Sequence, residues 1–97
     1  MKSLQDTFAP SNKCFGCGPS NPQGLQIKSF LDDDILIAHF IPQAHHQAFD
    51  GVLSGGICGT LLDCHSNWCA AYFIMKHRNA DAPPCTVTAR YAVELLQ

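Results

Sequence analysis

Residues 53–63 read Leu-Ser-Gly-Gly-Ile-Cys-Gly-Thr-Leu-Leu-Asp, "LSGGICGTLLD". The stretch starts as a capped helix. Ser54 suits an N-cap, where its hydroxyl accepts an otherwise orphan backbone N–H. Beyond it Ile57, Leu61, Leu62, Trp68, Ala71, Phe73, Ile74 and Met75 cover most of the helix circumference. Such a pattern predicts one long, buried helix over 54–75. Lys76, His77 and Arg78 suit its C-terminus, and Pro83-Pro84 block continuation. Two features run against the segment's apolar character. A glycine costs about 1 kcal/mol relative to alanine in a helix interior. A carboxylate, here Asp63, is costly to bury unless paired.

On either side of the helix the pattern changes. Residues 1–23 hold Pro10, Pro19, Pro22, Gly16 and Gly18 among Ser and Asn, and read as loop. Residues 24–41 read as a β-hairpin: "GLQIKSFL" alternates, "ILIAHFI" is an apolar run of strand length, and Asp32-Asp33-Asp34 supplies the turn. Residues 42–53 read as loop. Residues 85–96 alternate again, with Val87, Ala89, Tyr91, Val93 and Leu95 on one face and Thr86, Thr88, Arg90 and Glu94 on the other, which predicts a strand. Hairpin, buried helix and strand together define a single α+β domain with the helix packed on an antiparallel sheet.

The chain has 97 residues and a formal net charge of −2. It has no Lys/Arg run, so no nucleic-acid surface is expected. It has no uninterrupted apolar stretch of membrane length, so no membrane partner is expected. The N-terminal "MKSLQDTFAPSNK" lacks the apolar region of a signal peptide. Three of the six cysteines fall inside the apolar helix, where thiols behave as small hydrophobes, and this favours a reducing cytoplasm. A core of this size is modest, so association is a reasonable expectation.

At about 100° per residue, Gly56, Thr60, Asp63 and Asn67 form one narrow polar stripe. Gly55 and Gly56 leave the first turn's N–H groups open to a ligand oxygen, as an oxyanion hole requires. Asp63, two turns on, is placed to act as general base or nucleophile. The bland alternative is a hydrogen-bonded helix acid with glycines that permit close packing. On spacing alone the two stand level.

Three stretches shift that balance. "CFGCGPSNPQGLQIK" at 14–28, "HHQAFDGVLSGGICGTLLD" at 45–63 and "CTVTARYAVELLQ" at 85–97 resemble, in order, the N-terminal signature, the central segment and the following strand of the hotdog-fold acyl-CoA thioesterases of the phenylacetate type. The resemblance implies a long central helix wrapped by a curved antiparallel sheet, with acyl-CoA bound between the subunits of a homodimer or homotetramer. It implies Asp63 as the catalytic acid and the Gly55 N–H, helped by Gly56, as donor to the thioester carbonyl. Ser54 stands where the family carries histidine. Ala48 stands where some relatives carry an amide, with Gln47 adjacent. Ser54, Gly56, Gln47, His46, Thr60 and Asn67 are the expected substrate contacts. No cofactor or metal is called for, coenzyme A being part of the substrate. The family usually adds two or three strands after the one that ends here, so the sheet is expected to be incomplete. The runner-up is a non-catalytic acyl-CoA or acyl-group binder, or a truncated, inactive relative.

Cys14-Phe15-Gly16-Cys17 has the spacing of a zinc knuckle. A second pair of ligands would have to come from His45, His46 or Cys85, so packing cysteines are preferred over a zinc-binding interaction module. Cys64, adjacent to Asp63, points away from it. His65, Trp68, Tyr72 and Phe73 are assigned to core or interface, and Arg90 to water.

Overall fold

The structure is a computed structural model that describes residues 2–96. Its elements, in order, are α1 (Leu4–Phe8), β1 (Ser29–Asp32), β2 (Ile35–Ala38), a 3-10 turn (Ala44–His46), β3 (Gln47–Phe49), β4 (Val52–Leu53) and α2 (Gly55–His77). β1 pairs antiparallel with β2, and β3 with β4, in two separate two-stranded sheets. The fold is α+β, with one long helix and short antiparallel sheets.

α2 starts and stops where the residues predict. The Ser54 hydroxyl accepts from the Gly56 N–H at 3.3 Å, and Lys76 and His77 occupy the last turn. The Asp32–Asp34 turn is also confirmed. Asp33 takes a left-handed φ of 54°, which its short polar side chain tolerates better than most.

Elsewhere the structure departs from the pattern. The first arm of the hairpin is shorter than 24–31. Leu25 and Ile27 donate instead to the Phe15 and Gly16 carbonyls at 2.8 and 3.0 Å, and Gln26 between them sits at φ 57°. The alternation there buries Ile27 completely, but against the 14–18 loop rather than in a sheet. α1 was not foreseen. Ser3 caps it by accepting from the Asp6 N–H at 3.0 Å. The 42–53 region, expected as loop, contains β3 and β4, turning through Gly51 at φ +79°.

Residues 85–96 form no strand ladder. A strand needs a neighbour to receive its N–H and C=O groups, and none lies beside it among the described residues. Nor is α2 buried all round. Gly59, Cys64, Ala71 and Met75 are buried, whereas Leu62 and Phe73 are half exposed. On its Cys64–His65 side the helix meets β2, through Ala38 and the Leu36 carbonyl.

The core centres on Cys17, Ile27 and Cys64, against which Leu25, Ala38, Phe40, Leu61 and Trp68 pack. Beside it runs a buried polar chain. Gln5 Nε2 donates to Ser29 Oγ at 3.1 Å, and the Ser29 N–H donates to Gln5 Oε1 at 2.8 Å. His65 Nε2 lies 3.1 Å from the Leu36 carbonyl and therefore carries the proton. Its Nδ1 then accepts from the Ser29 hydroxyl at 2.8 Å. This chain ties α1, β1 and β2 to α2, which confirms His65 as a satisfied interior histidine.

Candidate functional site

The C-terminal half of the polar stripe of α2 faces a cleft of about 470 Å³ shared with the 86–93 segment. Asp63 and Asn67 are both on its wall. Each is held by a threonine of the facing segment: the Thr88 hydroxyl donates to Asp63 Oδ1, and the Thr86 hydroxyl to Asn67 Oδ1. Asn67 Nδ2 returns a bond to the Thr86 carbonyl at 3.2 Å. The spacings match. Four residues of helix rise about 6 Å and two residues of extended chain span about 6.6 Å. Thr86 and Thr88 thus turn toward the helix, and from the other face of the segment Tyr91 and Leu95 also approach it, at Gly59 and Gly55. An i, i+2 threonine pair opposite an i, i+4 acid–amide pair was the available signal.

The other residues of the stripe serve the helix itself. Thr60 Oγ1 donates to the Gly56 carbonyl at 2.9 Å. Gly56 N–H is shared with Ser54 Oγ. A side chain at Gly55 would lie 3.1 Å from Leu95 Cδ1, so Leu95 rests over the first turn of α2. Arg90, assigned to water, is exposed at the rim of the cleft.

His46 and Gln47 lie apart from this cleft and are committed locally. His46 is buried; its Nδ1 accepts from the Gln43 N–H at 2.9 Å, and its ring lies 5.3 Å from Phe40. Gln47 donates to the Ala44 carbonyl at 2.8 Å and accepts from the Gly51 N–H at 2.6 Å. Both residues build the turn that leads into α2. The structure does not bring them to Asp63.

On the adjoining face of α2 three thiols converge. Cys14, Cys17 and Cys64 have sulfurs within 4.8 Å of one another, and Cys14 Sγ and Cys64 Sγ are 4.0 Å apart. Gly16 makes this possible. A Cβ there would lie 2.8 Å from Thr60 Cγ2 and closer still to Cys64 Sγ. The hydrogen bond from Cys64 holds the Cys17 thiol below its ordinary value. The same bond, with burial, pushes the Cys64 thiol up. The third thiol was missed in sequence because Cys64 lies fifty residues from Cys14, on a helix whose apolar surroundings account for it equally well. Gly16 inside the Cys-x-x-Cys was the clue to a close approach.

Fold and site together define a small α+β domain in which an acid–amide pair and a thiol cluster occupy adjoining faces of one long helix and border a common cleft. No family model matches the chain, and no solved structure matches it.

Proposed function

We propose that the chain is an acyl-CoA thioesterase of the hotdog type, working as a homo-oligomer. The observation that carries this reading is the placement of Asp63. It is an anchored carboxylate on the wall of a mainly apolar cleft, two turns beyond a Gly-Gly helix start. The cleft volume falls in the usual range for small-molecule sites, about 300–1,000 Å³. In the proposed reaction Asp63 takes a proton from water as the oxygen attacks the thioester carbonyl carbon. The Gly55 N–H and the positive end of α2 hold the charge developing on the carbonyl oxygen. The carbon–sulfur bond then breaks, and the coenzyme A thiolate leaves and is protonated. Thr88 orients Asp63, and Asn67 lines the acyl side.

The second reading, binding of acyl-CoA without cleavage, is favoured by Leu95, which rests on the helix turn that catalysis needs open.

The test is coenzyme A release from short-chain, aromatic and long-chain acyl-CoA substrates by the wild type and by Asp63→Asn. Loss of a general base lowers the rate by about 10²–10⁴-fold. Equal rates in the two proteins would refute catalysis through Asp63. Equilibrium binding of the same substrates would then decide for or against the second reading.

A further inference from the structure

We propose that Cys14, Cys17 and Cys64 form a metal site that takes a thiophilic d¹⁰ cation, Zn²⁺ foremost, through three thiolates. The geometry is the first argument. With a zinc–sulfur bond of about 2.3 Å, sulfurs around one ion sit about 3.8 Å apart in a tetrahedron and about 4.0 Å apart in a trigonal plane. The Cys14–Cys64 separation is 4.0 Å, and the full triangle lies within 4.8 Å. Shifts of well under an ångström bring all three onto one centre.

The second argument is construction. The Cys14–Gly18 loop is braced on every side. Cys14 N–H donates to Asn12 Oδ1 at 2.7 Å, and Gly18 N–H to the Cys14 carbonyl at 2.9 Å. The Gln26 amide clamps the Gly18 and Asn21 carbonyls at 2.9 and 2.6 Å. Gly16 seats this loop against α2, and Cys64 projects from the helix to meet it. The ligands thus come from two elements whose relative position is already set. Such preorganisation is what keeps a metal site tight.

The third argument is access. All three cysteines border a cleft of about 590 Å³ on the side of α2 nearest Trp68. Cys17 and Cys64 are buried, and Cys14 is exposed. An ion held there keeps its fourth position toward the cleft, for water. Three sulfur donors select soft cations over Mg²⁺ or Ca²⁺. Binding displaces the thiol protons to solvent, so uptake releases acid and weakens as pH falls.

The site is independent of the thioesterase reading. Its test uses the full chain, reduced with a phosphine and freed of metal. Co²⁺ is added first and then displaced by Zn²⁺. The expected result is saturation at one equivalent, with the intense near-ultraviolet bands of thiolate-to-cobalt charge transfer. Cys64→Ser should weaken binding by more than the roughly 10–100-fold that loss of an outer-shell partner costs. Cys58→Ser should bind as the wild type does.

Because a Cys64 variant can lose its fold, the wild type is also mapped by alkylation and mass spectrometry. Zn²⁺ should slow modification of exposed Cys14 at least tenfold and leave exposed Cys85 unchanged. Absence of the charge-transfer bands, or equal alkylation of Cys14 with and without Zn²⁺, would overturn the proposal. Protection spread equally to Cys85 would do the same.

Discussion

Replacing Gly16 with alanine should be one of the more damaging single-methyl additions in this chain. Gly16 is buried and has no positive φ, so its backbone accepts a side chain without strain. The cost is steric. The new Cβ would lie 2.8 Å from Thr60 Cγ2 and closer still to Cys64 Sγ, both on the rigid face of α2. Nor can the loop simply back away, because the Phe15 and Gly16 carbonyls accept from Leu25 and Ile27 at 2.8 and 3.0 Å. Overpacking of this kind costs about 1–3 kcal/mol. With obstacles on both sides, a value of about 2 kcal/mol is expected, or roughly a thirtyfold loss in the folding constant.

Urea unfolding followed by fluorescence of Trp68, the lone tryptophan, reports directly on this contact, since Trp68 packs on the Cys17–Cys64 cluster. For an m-value of about 2 kcal/mol per molar, the midpoint should fall by about 1 M. A midpoint within about 0.2 M of the wild type would show that loop and helix are not held at this distance, and the argument for the thiol cluster would fall with it.

Three further outcomes follow from other parts of the structure. Gly56→Ala should raise stability by up to about 1 kcal/mol, because its Cβ meets only Ser54 Oγ at 3.6 Å and alanine is the better helix former. If coenzyme A release falls in that same variant, the methyl is blocking the turn that the thioester uses. Gln5→Ala should cost about 1–3 kcal/mol by chemical denaturation, because it strands the buried Ser29 N–H; a smaller loss would mean that water replaces the amide. The hydrogen bond from Lys28, at 2.9 Å, together with that from Ser3, lowers Asp6 below its ordinary 3.8. The sign follows: the pair stabilises the fold above the unfolded carboxylate's pKa and loses that effect as pH falls through the folded value. The stability gap between wild type and Lys28→Ala should therefore be level above about pH 5, stay below about 1 kcal/mol for so exposed a pair, and close toward pH 3. A gap that widens on acidification would refute the assignment.

Local order was legible because local chemistry dictates it. The Ser54 cap, the run of apolar residues to Met75 and the cations after it delimit α2 to within two residues at each end. The aspartates between the apolar arms delimit the turn of the first hairpin. These signals act within a few residues, where sequence spacing and spatial spacing agree. The polar stripe was legible for the same reason, and so was the interior role of His65.

What spacing could not reveal was which segment each exposed face would meet. Leu25 and Ile27 alternate as a strand does, yet their partners are two carbonyls in the 14–18 loop. Residues 85–96 alternate as well, but pairing requires a neighbour, and their threonines bind Asp63 and Asn67 instead. His46 and Gln47 look free in a loop until the Gln43 and Gly51 amides claim them. The convergence of Cys14, Cys17 and Cys64 belongs wholly to tertiary structure. It depends on Gly16 letting a loop rest against a helix fifty residues away, a closeness set by packing between elements rather than by the periodicity of either one.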